Sequence, residues 1–306
     1  MIDAGLFQPL VNRIIAWVGN DPARATVGHA TLASAVGLDG DGTTTALVGV
    51  SSMLPVYRRL GIDVMIFAVI GSLSFSVMNM SPWGGPAARV AASLHVDPSS
   101  LFVPMLPVAA TGLFYVFLLA WWMGLRERSR LGAMSASDAA PAEALDADRI
   151  AEIFQADPGA LRPRLIWFNL ALTLGLMSMA VTRFAPLPVL FMGGLSAALV
   201  INYPKLADQR ARLTAHAGNA LSVGIMVMAA GAFTGVMAGT GMIDAMAKSV
   251  LAVLPPALGP YLGVITALLS IPMNFFLSSD AFYFGVVPVI AETAGHYGIT
   301  PEEIGR

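Results

Sequence analysis

Three aspartates in this chain stand where an aspartate is expensive. Asp39 and Asp41 lie in the run Asp39-Gly-Asp-Gly-Thr-Thr-Thr45, between apolar arms at 25–38 and 46–56, and Asp280 follows the apolar stretch 261–277. A carboxylate at membrane depth is costly, so by default it marks the path of an ion, proton or substrate. Carboxylates take up and release protons, and oxygen ligands suit hard divalent cations. The hydroxyls of Thr43, Thr44 and Thr45 stand at the start of a half-helix, a place able to hold a carboxylate. The plain structural reading is that these acids and hydroxyls cap helix N-termini. An EF-hand reading fails, because Thr43 and Thr44 replace Asp/Asn and Gly and Val50 replaces the bidentate Glu.

A second constellation is Asn79-Met-Ser-Pro-Trp-Gly-Gly-Pro86, which puts two prolines and two glycines inside the apolar stretch 63–90. Such a run interrupts a helix and frees backbone groups. Asn79, Ser81, Gly84 and Gly85 are therefore candidate site lining, with a simple proline kink as the alternative. Arg89 can pair bidentately with a carboxylate, neutralise an acid of the protein, or snorkel to the surface. Asn274, Ser278 and Ser279 add polar atoms beside Asp280. No metal-ligand spacing links His29, His95, His216 and His296; only His29 sits on an arm of the first polar run. Asp244 and Lys248, four apart on 241–254, read as an ion pair on an interfacial amphipathic helix.

The elements that must position these residues are apolar. The chain has 306 residues, 56% hydrophobic and 12% charged, against about 25% charged in soluble domains. It therefore reads as a polytopic membrane protein, with helices at 63–90 (interrupted), 101–123, 165–181, 187–201, 218–238 and 261–277. The formal net charge of −2 implies no nucleic-acid partner, and the absence of Cys leaves no disulfide or thiol-ligated metal. The start, Met1-Ile-Asp-Ala-Gly5, has no signal-peptide pattern. Residues 124–164 read as a linker with arginines at both edges, which places it in the cytoplasm. The basic residues at 58–59 and 205–212 fall on the same side when spans are counted outward.

On that count the two polar runs are tips of re-entrant hairpins entering from opposite sides. Met1-Ile-Asp-Ala4 recurs as Met242-Ile-Asp-Ala245, and each copy precedes its aspartate, Asp39 or Asp280, by 38 positions. The expected fold is thus all-α and polytopic, an inverted-topology repeat with two re-entrant helical hairpins and discontinuous helices. Its parts are a first repeat at 1–123, the linker at 124–164 and a second repeat at 165–306. Symmetry between the repeats further predicts roughly 75 residues before Met1 and roughly 60 after Arg306, which makes the chain read as a fragment.

These motifs resemble the citrate–metal–proton symporters (CitMHS) of the ion-transporter superfamily. The resemblance rests on Leu38–Thr45, on Val77-Met-Asn-Met-Ser-Pro-Trp-Gly-Gly-Pro86 with Arg89, on Ala238–Ala245, and on Ser278-Ser-Asp-Ala-Phe-Tyr-Phe-Gly285. It departs at Ser279, where the family pattern suggests Asn. The resemblance implies a multi-pass protein of the bacterial cytoplasmic membrane, not an enzyme, that carries citrate complexed with a divalent cation of the Mg or Ca type together with protons. No permanently bound cofactor is expected, and a homodimer is its candidate assembly. The metal would arrive with citrate near Asp39, Asp41 and Asp280. Alternatives are a carrier of another di- or tricarboxylate or gluconate-like anion, and an intramembrane aspartyl protease, whose Gly-x-Gly-Asp pattern neither run matches.

Overall fold

The computed structural model of the chain describes residues 4–38, 40, 42–132 and 160–306. Asp39, Asp41, most of the expected linker and the Met1-Ile-Asp start of the repeat lie outside the described residues. Regular structure is entirely helical among the described residues. In chain order the helices are α1 (Gln8–Val18), α2 (Pro22–Gly37), α3 (Gly42–Ser52), α4 (Leu54–Leu60), α5 (Val64–Met78), α6 (Gly85–Leu94) and α7 (Pro98–Gly132). There follow α8 (Ile166–Val181), α9 (Leu187–Asn202), α10 (Leu206–Gly239), α11 (Met242–Val253), α12 (Leu262–Phe276), α13 (Ser279–Ala281), α14 (Val287–Gly295) and α15 (Pro301–Gly305).

Among the described residues, four helical stretches are long and apolar enough to cross a membrane: Pro98–Gly132, Pro163–Val181, Ala220–Gly239 and Pro256–Phe276. The chain is an all-α polytopic membrane protein. The apolar helices α5 and α9 are shorter, at 15 and 16 residues. The chain forms two compact units, Met1–Gly84 with Leu106–Pro204, and Gly85–Met105 with Lys205–Arg306.

In the first unit α2 is the hub. Asp21 caps it by accepting from the Ala23 amide at 3.0 Å, and Pro22 follows at the first helical position, where its missing N–H costs nothing. Small residues let its neighbours approach closely. A Cβ on Gly28 would stand 2.8 Å from Ile14 Cγ2 of α1, and one on Gly124 would stand 2.6 Å from the Ala23 Cα. Around α2, Val11, Leu32, Val36, Met53, Tyr57 and Ile70 form a buried core. The second unit has a smaller core of Leu262, Phe282, Val287, Ala291, Ala294 and Ile304.

Two helices run further than their hydropathy suggests. α7 continues beyond Met123 to Gly132, so the arginines at the edge of the expected linker are helical. The reason is a long-range clasp. Buried Glu127 accepts from the Asp63 amide at 3.2 Å and from Arg130 at 2.6 and 2.9 Å, while Arg130 donates to the Gly61 carbonyl at 2.7 Å. These bonds give charged residues fixed partners and hold the last turns to the loop before α5. Likewise α10 begins at Leu206 rather than near 218, since residues 206–217 lack Gly and Pro and carry an acid, Asp208, in the first turn.

Because the Gly124 contact is with backbone, a side chain there cannot be absorbed by a rotamer change. Gly124→Leu is expected to destabilise the folded protein by about 1–3 kcal/mol, read as a lower melting temperature in detergent. Gly175→Ala in α8, where a Cβ meets nothing within 4 Å, should leave it unchanged or raised. Equal melting temperatures for both variants would refute the close α2–α7 packing.

Candidate functional site

The first group of predicted residues gathers in the first unit where two helix breaks meet. α2 stops at Gly37, Gly40 turns the chain at φ +79°, and α3 starts at Gly42, so Thr43, Thr44 and Thr45 form its opening turn. α5 stops at Met78. The Asn79–Gly84 backbone then satisfies itself in tight turns, with Ser81 N–H bonded to Met78 O at 3.1 Å and Gly84 N–H to Ser81 O at 2.8 Å. The breaks are joined by Trp83, whose indole N–H donates to the Leu38 carbonyl at 2.7 Å. A Cβ on Gly40 would lie 3.2 Å from the Gly84 Cα, and one on Gly84 would lie 2.1 Å from the Asn79 carbonyl oxygen. Glycine is required at both positions, at Gly40 for its left-handed φ and at Gly84 for space.

This junction leaves polar atoms unspent. Asn79 Oδ1 and Ser81 Oγ are buried and have no hydrogen-bond partner among the described residues. A buried unsatisfied oxygen costs about 1–3 kcal/mol, and such groups in a native fold call for a ligand, an ion or water.

The second group gathers in the second unit. Asp280 sits in α13, whose N-terminus is capped by Ser278 accepting from the Ala281 amide at 3.2 Å. Pro288 has no N–H to give to the preceding turn, and the ladder slips by one residue: the Val287 amide reaches the Phe282 carbonyl, making a π turn over Phe282–Val286. Across from it, Arg89 stands one turn into α6, and Gly85 leaves its guanidinium room, since a Cβ there would lie 3.1 Å from Nη1. Arg89 Nε is 2.7 Å from Asp280 Oδ1. The two atoms are buried, yet their directions do not align for a hydrogen bond. The contact is therefore a close ion pair with directional bonding capacity left over on both partners. Tyr283 lies within electrostatic reach of both charges and packs on the Val90, Ala91 and Leu101 cluster.

Other predicted residues lie elsewhere or serve the fold. Asn274 is exposed and donates to the Ser270 carbonyl of its own helix at 2.8 Å, and Ser279 is exposed. His29 is a core residue: it stacks on Phe67 at 4.4 Å, its Nδ1 is 3.3 Å from the Tyr57 hydroxyl, and it is 1% exposed. Lys248 pairs with Asp244 at 2.7 Å on exposed α11, which holds the ammonium pKa above its ordinary value. Trp83 and Tyr283 were not singled out from sequence. The available signal for Trp83 was an indole N–H flanked by Pro and Gly, since such a donor seeks a partner when buried.

The full length of this arrangement matches one group of known proteins. Residues 1–305 fit the citrate transporter family, CitMHS. The chain belongs to that family. A citrate transporter of Bacillus subtilis (strain 168) is 49% identical over the whole chain, which covers 69% of that protein. A Mg(2+)/citrate complex secondary transporter of the same organism is 42% identical, again over the whole chain and 69% of the relative. An uncharacterized transporter, YraO, is 43% identical over the whole chain and 70% of its own length. No solved structure matches. The family and its named members are transporters rather than enzymes, which removes the protease alternative.

The junction makes a direct forecast. Gly84→Ala must push apart the Asn79 and Gly84 backbone, and should cut citrate uptake by about tenfold or more at equal membrane abundance. Trp83→Phe removes one hydrogen bond, worth about 1 kcal/mol, and should have a smaller effect. Uptake by Gly84→Ala at the wild-type rate would show that the two breaks do not form part of the site.

Proposed function

We propose that this transporter carries citrate complexed with a divalent cation, in symport with protons, across the bacterial cytoplasmic membrane. The observation that carries the reading is the Arg89–Asp280 pair, close but unaligned and set at a helix break. A guanidinium held this way can exchange a protein carboxylate for a carboxylate of citrate. While Asp280 is charged it competes for Arg89. A proton on Asp280 removes the competitor and frees the guanidinium fork for substrate. Proton and anion then bind together, and by linkage each strengthens the other.

The cation travels as part of the substrate. The unpartnered oxygens of Asn79 and Ser81 suit a hard cation, as do carboxylates, and the Mg(2+)/citrate transporter among the relatives favours a metal-bearing cargo. The reading includes binding roles for Asp39, Asp41 and the Thr43–Thr45 hydroxyls, an opposed pair of re-entrant hairpins, and a cytoplasmic position for residues 124–164. The charge balance supports protons as the coupling ion. Trivalent citrate with one divalent cation carries net −1, and an inside-negative potential opposes its entry by about 2.3 kcal/mol per 100 mV.

Full-length protein in proteoliposomes tests the reading with radiolabelled citrate. Uptake should need Mg²⁺ or a similar divalent cation and rise when the outside is made acidic. Asp280→Asn, which cannot titrate, should lose the pH response. Arg89→Gln should raise KM for citrate by about 10–100-fold, the loss of a charged hydrogen bond. Uptake of free citrate at the same rate without any divalent cation would refute the metal complex as cargo. An unchanged pH profile in Asp280→Asn would reduce that residue to a structural counter-ion.

A further inference from the structure

A groove on the first unit belongs to neither cluster. It has a volume of about 630 Å³ and runs between the end of α1, the start of α2 and one face of α7. The α7 wall is a single helical stripe that begins at Phe114 and continues through Leu118 and Trp121 to Arg128, positions i, i+4, i+7 and i+14. Trp17 of α1 faces it. Phe114 is 70% exposed, Trp121 53% and Trp17 49%, which leaves a broad apolar wall uncovered.

One end of the groove is charged, the end from which α7 leads toward residue 133. Arg24, Arg128 and Asp21 line it. Asp21 is committed twice, to the Ala23 amide at 3.0 Å and loosely to Arg24 at 3.7 Å. Arg128 has no hydrogen bond or ion pair among the described residues, and it also lines a second hollow of about 310 Å³. Two guanidinium groups against one carboxylate leave this end positive. The position is fixed rather than accidental, because the Gly124 approach and the Glu127–Arg130 clasp hold this part of α7 in place.

We propose that the groove holds an anionic phospholipid, its phosphate between Arg24 and Arg128 and an acyl chain along the α7 stripe. Guanidinium forks match phosphate oxygens, and basic pockets between membrane helices suit anionic headgroups. The stripe from Phe114 to Arg128 rises about 21 Å. That exceeds the roughly 15 Å half-thickness of a hydrocarbon core, so the headgroup and chain of one leaflet fit along it. A soluble anion would leave the aromatic wall unused. An apolar protein helix would leave the excess positive charge at this end without a counter-charge.

The test uses full-length protein in phosphatidylcholine nanodiscs and its intrinsic tryptophan fluorescence. Dibrominated phosphatidylglycerol is added as a minor component and compared with dibrominated phosphatidylcholine at the same fraction. The glycerol lipid should quench more, reflecting an enrichment of about fivefold per arginine. The excess should vanish in Arg24→Gln/Arg128→Gln and fall in Trp121→Phe, which keeps the packing. It should persist in Arg126→Gln, whose guanidinium lies 4.8 Å over Trp122 instead of in the groove. Equal quenching by the two lipids would overturn the proposal. So would an excess that survives the double substitution, or a Trp121 contribution that neither lipid reaches, which would mean protein fills the groove.

Discussion

Backbone amides and carbonyls released by a broken helix cannot be left facing hydrocarbon, where each costs several kcal/mol. In the first unit this constraint decides which parts must touch. The breaks after Gly37 and after Met78 face one another, and each helps to complete the other. Trp83 supplies a donor to the Leu38 carbonyl, while glycines at 40 and 84 allow backbone to lie against backbone. The surrounding architecture serves this junction. α2 carries one break, α5 the other, and the same α2 collects α1, α3 and α7 around it through small residues. Side-chain oxygens of Asn79 and Ser81 remain unsatisfied, and that is where a ligand can contribute most.

In the second unit the governing term is electrostatic. Removing either member of a buried or half-buried ion pair leaves a charge without compensation, which costs more than the pair itself contributes. Arg89 and Asp280 are 27% and 42% exposed in their side chains, so water screens them partly and the cost is moderate. That middle ground suits exchange: a fully buried pair would resist opening, and a fully exposed one would scarcely couple to anything. The π turn over Phe282–Val286 follows directly on the turn that carries Asp280, and such a slipped ladder is a frequent mark of functional sites.

The helix breaks were legible because Pro and Gly act through local backbone sterics, which a sequence displays directly. The caps of α2 and α5, Asp21 accepting from the Ala23 amide and Asp63 from the Met65 amide, are local in the same way, although neither was read from the sequence. The extent of α7 was not legible. Its arginines read as a solvated edge, and what makes them helical is Glu127 meeting the amide of Asp63, 64 positions away. Arg89 left three partners open in the sequence, and only the packing of α6 against the turn after Asp280 selects one. Trp83 and Tyr283 sat in motifs already picked out, yet an aromatic in an apolar stretch is indistinguishable from core until its neighbours are known. His29 stood out in the sequence by its place on an arm of the first polar run, and its core role is set by Tyr57 and Phe67 on other helices.

Charge arithmetic limits what a single exchange pair can accomplish. On the proposed reading, one proton on Asp280 turns a net −1 cargo into an electroneutral step, which the membrane potential neither opposes nor drives. To draw on the potential, a second acid must be neutralised in the same cycle, and each further positive charge moved adds about 2.3 kcal/mol per 100 mV. Asp39 and Asp41 are the acids that the sequence sets between α2 and α3, and on the proposed reading their carboxylates and the oxygens of Asn79 and Ser81 are the cation's ligands. A cation held among those oxygens would compete with protons for the same carboxylates. Loading metal citrate would then lower the affinity of that cluster for protons while raising that of Asp280. Opposite responses at two acids would let one cargo both expel and recruit a proton, so the net number carried is set by their balance and not by counting aspartates.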